Sequence, residues 1–120
     1  MSRKVLLVDD DDELVQTLKM RFDYEGFESV TANSGQEALE KAQSENPDAI
    51  ILDLVLPNES GVLVLEKLNA LNLVGQIKIV ALSGVDDPDV RAKVLDLGAD
   101  VFFPKPCDLA VLVERVKSLL

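Results

Sequence analysis

Three stretches of the chain, Val5-Leu6-Leu7-Val8, Ala49-Ile50-Ile51-Leu52 and Ile79-Val80-Ala81-Leu82, are apolar at every position. A strand with one wet face alternates polar and apolar residues, so an unbroken run belongs to a strand covered on both sides, as in a parallel sheet. Between these runs the period changes to that of a helix. Leu14, Leu18 and Phe22 recur every four residues and mark a stripe on a first helix. Ser34-Gly35-Gln36-Glu37 reads as a capping box, Ser34 at the N-cap and Glu37 reaching back, opening a second helix with Ala38, Leu39 and Ala42. A third helix is predicted from about Gly61 to Leu71, carrying Leu65 and Leu68. Asp87-Pro88 starts a fourth as N-cap and N1 proline, with Gly98 as its stop. Asp108 caps a fifth, whose Leu109, Leu112, Val113 and Val116 face inward.

Weaker strand signals at Glu28 to Ala32 and Asp100 to Phe103 bring the order to βα repeated five times. Right-handed crossovers then give a parallel sheet with helices on both faces. With 120 residues and connections this short, the expectation is a single doubly wound α/β domain over residues 1–120, without linker or second domain.

Composition narrows the chemistry. Acidic residues outnumber Lys and Arg by 22 to 12, a formal net charge of -10, which argues against the chain gripping nucleic acid or an anionic membrane by itself. No apolar stretch approaches the roughly 20 residues of a bilayer span, and no signal-peptide pattern precedes the first strand. Cys107 is the only cysteine, so no internal disulfide is possible and a cytoplasmic location is expected. There is no histidine, which removes the commonest general base.

In sheets of this kind ligands gather beyond the carboxyl ends of the strands. Asp9 and Asp10 follow the first strand, Asp53 the third, Ser83 the fourth, and Lys105 follows the fifth. Three carboxylates, a hydroxyl and an ammonium are thus expected in one crevice. Asp9, Asp10 and Asp53 could hold a hard divalent cation through oxygen, and Mg2+ suits such a set because it keeps several waters and takes few carboxylates. Asp11 and Asp12 have a simpler use as N-cap and first-turn charge of the first helix. Each residue alone is unremarkable; their joint placement is the signal.

The segments "LLVDD" at Leu6 to Asp10, "ILDLVLP" at Ile51 to Pro57 with Gly61 beyond, "ALSG" at Ala81 to Gly84 and "FPKP" at Phe103 to Pro106 resemble those of a bacterial two-component response-regulator receiver domain, the family of the chemotaxis response regulator. The likeness covers essentially the whole chain and implies a flavodoxin-like receiver topology with five strands and five helices. It implies that Asp53 is the phosphoacceptor, a carboxylate nucleophile taking a phosphoryl group from a partner phosphohistidine. Asp10 resembles the direct Mg2+ ligand, Asp9 its acidic neighbour, and the Val55 backbone carbonyl a further ligand, with Mn2+ as a substitute ion. Lys105 and Ser83 would contact the phosphoryl oxygens. Ser83 and Phe102 would form the switch, moving the face made by the fourth helix, fifth strand and fifth helix. The implied partners are a sensor histidine kinase or phosphotransfer domain and a downstream effector, domain or protein, with no direct nucleic-acid or membrane binding by this chain. The implied protein is a signalling switch, not an enzyme, that assists its own phosphorylation and dephosphorylation. The family also commonly holds the Lys-Pro bond cis, so Lys105-Pro106 is expected to be cis.

Some positions depart from the family pattern. Ser83 replaces a frequent threonine, Phe102 lacks a tyrosine's hydroxyl, and Cys107 takes a place often filled by phenylalanine, here read as a small apolar filler. Pro104 removes an N–H at the end of the fifth strand. Val55 and Val85 stand where the family tunes dephosphorylation, and apolar groups there are expected to lengthen the phosphorylated lifetime. Two other classes stay open. A haloacid-dehalogenase-like phosphatase also uses a strand-end aspartate with Mg2+, but wants a second acid where Val55 stands. A receiver-like interaction module would keep the fold without phosphorylation, although the intact Asp9, Asp10, Asp53, Ser83 and Lys105 set speaks against it.

Overall fold

The computed structural model describes residues 3–56, 59–84 and 87–120; Pro57 and Val85 lie outside them. The chain runs β1 (Lys4–Val8), α1 (Asp12–Tyr24), β2 (Glu28–Ala32), α2 (Gly35–Ser44), β3 (Ala49–Asp53), β4 (Val55–Leu56), β5 (Glu59–Ser60), α3 (Gly61–Ala70), β6 (Lys78–Ser83), α4 (Pro88–Asp96), β7 (Val101–Pro104) and α5 (Leu109–Leu119). The major strands form one parallel sheet in the order β2-β1-β3-β6-β7. β4 and β5 form a separate antiparallel ribbon that the sequence did not signal.

The continuous apolar runs have the reason expected of them. Val5 and Leu7 of β1, Ala49 and Ile51 of β3, and Val80 and Leu82 of β6 pack with Leu18 and Phe22 of α1 and with Leu112, Val113 and Val116 of α5. The alternate residues Leu6, Val8, Ile50, Leu52, Ile79 and Ala81 pack with Ala38 and Ala42 of α2, Val64, Leu65 and Leu68 of α3, and Val94 of α4. Each central strand therefore buries both faces, and polar residues are admitted only at its ends.

The helix starts follow their caps. The Asp11 carboxylate accepts the N–H groups of Glu13 and Leu14, Ser34 Oγ accepts that of Glu37, and the Asp87 and Asp108 carboxylates cap α4 and α5. Three details differ from the expectation. In α1 the fully buried residues are Val15, Leu18 and Phe22 while Leu14 is half-buried, because a spacing of four drifts around a helix of 3.6 residues per turn. The Glu37 carboxylate accepts the N–H of Asn33, one residue before the cap. β7 begins at Val101, not Asp100; the Asp100 side chain instead accepts the Ile79 N–H at 2.8 Å and ties the sheet's near end. Pro104 is accommodated because β7 is an edge strand, where a missing N–H leaves no ladder partner orphaned.

Chain direction across the sheet reverses between β1 and β3: from β1 the chain steps outward to β2, then returns to the opposite side. This is the point where a crevice opens at the carboxyl edge of such a sheet. Asp9 and Asp10 leave β1 on one side of it, and Asp53 ends β3 on the other.

Candidate functional site

Asp9, Asp10 and Asp53 each present a carboxylate oxygen within 4.8 Å of the others. Asp9 and Asp53 are buried, 3% and 4% exposed, while Asp10 faces solvent. With Asp11, Val55, Leu56, Gly84 and Lys105 they line an open cleft of about 500 Å3.

Both oxygens of Asp9 are engaged. Oδ1 accepts the Asp11 N–H at 3.0 Å, and Oδ2 accepts from Lys105 Nζ at 2.7 Å. Asp53 is held similarly: Oδ1 accepts the Val55 N–H at 3.0 Å, and Oδ2 stands 3.2 Å from Lys105 Nζ. Lys105 is thereby shared between the two buried acids. It reaches them from the turn after β7, where its own N–H donates to the Ser83 carbonyl at 2.7 Å and the Lys105–Pro106 peptide is cis.

Burial pushes the Asp53 carboxyl above its ordinary value; the Val55 N–H opposes this, the Asp9 charge reinforces it, and Lys105 opposes it. Burial alone would lower Lys105, yet its hydrogen bond to Asp9 and the charges of Asp53 and Asp9 outweigh that and raise it. The three clustered carboxylates of Asp9, Asp10 and Asp53 face the single ammonium of Lys105 among the residues lining the cleft, an excess of negative charge that a divalent cation would neutralise.

Backbone packing fixes the position of Asp53. Gly61 opens α3 directly against β3: a Cβ there would lie 2.4 Å from the Asp53 carbonyl oxygen and 2.5 Å from Leu54 Cα. The Gly61 N–H donates to the Leu54 carbonyl at 2.9 Å. Only glycine permits that approach, which gives a steric reason for its place eight residues after Asp53.

The remaining expected residues fall around this cleft. Ser83 is buried at the carboxyl end of β6, one residue beyond Leu82, the register partner of Asp53. Val55 carries a largely exposed side chain at the cleft wall. Phe102 stands on β7 opposite Ala81, half-buried, with the Arg91 guanidinium of α4 4.9 Å from its ring centre. It does not line the acidic cleft. Cys107 is half-buried in an adjoining, smaller hollow with Leu14, Leu18 and Leu109, which shares Asp11 and Lys105 with the acidic cleft, and burial pushes its thiol up, in keeping with a filler role. Sequence reasoning missed the Asp11 N–H as a donor to Asp9, and the ribbon that carries Val55. Backbone donors have no residue signature, and two-residue strands are too short to leave a period.

The donor set fits a hard cation. All three candidate side chains offer carboxylate oxygen, the sequence has no histidine, and Cys107 is outside the cluster.

Residues 5–117 match the family model described as the response regulator receiver domain. The chain belongs to that family, whose members are signalling domains of two-component response regulators and bind Mg2+ at an acidic pocket. It is 36% identical over its full length to the alkaline phosphatase synthesis transcriptional regulatory protein PhoP of Bacillus subtilis, and 41% identical over 99% of its length to the transcriptional regulatory protein PrrA of Mycobacterium tuberculosis. It spans about half the length of these relatives, 49% and 50%. A CheY-like receiver domain from Methanospirillum hungatei superposes with a TM-score of 0.93 at 28% identity, covering 99% of this chain and 94% of that one. The doubly wound, receiver-type fold expected from the sequence is thus the fold observed.

Proposed function

We propose that this receiver domain accepts a phosphoryl group on Asp53 from a partner phosphohistidine, in the presence of Mg2+ or Mn2+. A single observation carries the reading. Asp53, buried at the end of β3, has one oxygen beside the Lys105 ammonium, and Asp9 and Asp10 stand close enough to share a cation with it.

The residues divide the work by charge and geometry. An Asp53 oxygen attacks phosphorus, the P–N bond to the donor imidazole breaks, and the leaving imidazole takes up a proton. Lys105, already paired to Asp53, stabilises the charge on the transferring oxygens. Asp9, Asp10, Asp53 and the Val55 carbonyl would hold the cation, which neutralises charge that would otherwise repel the incoming phosphoryl group. Ser83, at the neighbouring strand end, would donate to a phosphoryl oxygen and draw the loop after β6 inward. Phe102 would follow, altering the face formed by α4, β7 and α5 that a downstream effector reads. The relatives are transcriptional regulators about twice this length, which supports an effector and a kinase as partners. Among the described residues no helix is long and apolar enough to cross a membrane; a cytoplasmic site of action accords with a phosphorelay.

Acetyl phosphate with MgCl2 followed by intact-mass spectrometry tests the proposal. One base-labile phosphoryl adduct is expected, dependent on the metal and lost in Asp53→Asn. No adduct would leave a receiver-like interaction module. Repeated turnover of a phosphomonoester would indicate the dehalogenase-type hydrolase.

A further inference from the structure

Glu59 presents an unexplained feature of the fold. Its carboxylate oxygen Oε1 is buried and has no hydrogen-bond partner among the described residues, although Glu59 lies on the short ribbon strand β5, where a glutamate could extend into water. A buried polar atom without a partner normally costs stability, so its position calls for a compensating role.

That position is defined by Gly35, the first residue of α2. A Cβ added to Gly35 would lie 2.0 Å from Glu59 Oε1 and 2.5 Å from Cδ, and 2.7 Å from Val64 Cγ2 of α3. The Glu59 carboxylate therefore fills the space a side chain at position 35 would need. Its charge also meets the positive end of α2, where the first-turn N–H groups point outward. The contact joins α2 to the β4–β5 ribbon.

The ribbon leads directly to the phosphoacceptor. Glu59 is the register partner of Leu56, and Ser60 that of Val55. The Val55 N–H donates to Asp53 Oδ1 at 3.0 Å. The other buried acid is held from the neighbouring strand: the Asp9 N–H donates to the carbonyl of Ala32, the last residue of β2.

We infer that Glu59 is a positioning residue: seated on Gly35, it holds the β4–β5 ribbon so that Val55 stays against Asp53, and it thereby sets the affinity of the acidic pocket for its divalent cation. This deepens the proposed function and rests on it for the cation, but the placement of Val55 is measurable without metal.

The test compares Glu59→Ala, Glu59→Gln and Gly35→Ala with the unaltered chain. In EDTA, hydrogen exchange read by NMR should show the Val55 amide opening at least about tenfold faster in Glu59→Ala, with Ile51 and Val80 amides unchanged, since local opening is separable from global unfolding. Mg2+ affinity, titrated by chemical shift, should fall about tenfold, the lower end of what loss of an outer positioning contact costs a metal site. Glu59→Gln fills the same seat and should stay within about twofold on both measures. Gly35→Ala, which evicts the carboxylate from the opposite side, should reproduce the faster Val55 exchange; if it does not fold, Glu59→Ala decides. An unchanged Val55 amide in Glu59→Ala, or acceleration of all amides alike, overturns the inference. Absence of any Mg2+ binding in the unaltered chain would instead count against the proposed function, with the exchange result still deciding the role of Glu59.

Discussion

Replacing Asp53 by asparagine should stabilise the metal-free protein. The Asp53 carboxylate is 4% exposed and lies within 4.8 Å of carboxylate oxygens of Asp9 and Asp10, with Lys105 Nζ at 3.2 Å. At an effective dielectric near 20, each acid at that distance repels by about 3.5 kcal/mol and the ammonium attracts by about 5 kcal/mol. Asp10 faces solvent, so its share is screened to a fraction, and the pair terms nearly cancel. Desolvation of the buried ion, several kcal/mol even after relaxation, then decides the sign. Asparagine keeps the shape and an oxygen for the Val55 N–H while removing the charge. We expect Asp53→Asn to be more stable by about 1–3 kcal/mol in EDTA at neutral pH, or roughly 3–5 °C in Tm per kcal/mol for a chain this size. The pH dependence follows from the raised Asp53 pKa. Between its ordinary value of 3.8 and the higher folded value, the native state binds more protons than the unfolded state, so stability falls as pH rises. The variant lacks that fall, and its advantage should open from about pH 4 upward and then level off. Thermal denaturation by circular dichroism, with EDTA or excess MgCl2, measures both. Mg2+ should raise the unaltered chain more than the variant, because it binds the folded pocket with one carboxylate more. A variant no more stable than the parent in EDTA, or equal stabilisation of both by Mg2+, would refute the charge account of the pocket.

Other substitutions test neighbouring parts of the same construction. Lys105→Met leaves two buried acids without their shared ammonium and should cost about 3 kcal/mol without metal, as for breaking a buried pair, with part recovered in MgCl2. Because the Lys105 pKa is raised above 10.5, its contribution should persist at neutral pH and be lost only as pH climbs through the higher folded value, which an alkaline stability series would show. Gly61→Ala drives a methyl into the Asp53–Leu54 backbone and should cost about 2–3 kcal/mol in denaturant unfolding while slowing acetyl phosphate labelling. Ser34→Ala removes the α2 cap and should cost about 1 kcal/mol in the same assay, without altering the labelling rate at saturating Mg2+.

The sheet was legible because burial on both faces leaves an unbroken apolar run, and β1, β3 and β6 carry one each. The helix starts were legible because Asp11, Ser34, Asp87 and Asp108 cap through their own side chains. The meeting of Asp9, Asp10, Asp53 and Lys105 could be read from topology: parallel strands bring their carboxyl ends to one edge whatever their separation in sequence. What escaped notice depends on backbone groups and on close approach. The Asp11 and Val55 N–H donors belong to any residue type, the β4–β5 ribbon is too short to show a period, and the Glu59–Gly35 contact joins residues with no mutual pattern. Phe102 was placed correctly on the fifth strand, but its stacking under Arg91 depends on how α4 lies across the edge, which side-chain spacing does not encode.

The pocket's electrostatic cost and the switch proposed for it would have one physical origin. A buried strand end could have been filled with apolar residues, as Val5–Val8 of β1 and Ala49–Leu52 of β3 are. Two buried acids are there instead, with a third at the rim and one ammonium among them. Folding alone leaves that arrangement under-neutralised, and linkage requires that whatever relieves the excess charge bind the folded state in proportion. A divalent cation does so directly. On the proposed reading, a phosphoryl group on Asp53 would replace a compact carboxylate with a larger anion beside Lys105, which would then share its ammonium between the new oxygens and Asp9, now at 2.7 Å. Lys105 is bonded through its N–H to Ser83, so its adjustment bears on the loop after β6 without a long relay. On the proposed reading, Lys105 Nζ stands 3.2 Å from the carboxylate that would change. That proximity is what a charge-driven switch requires.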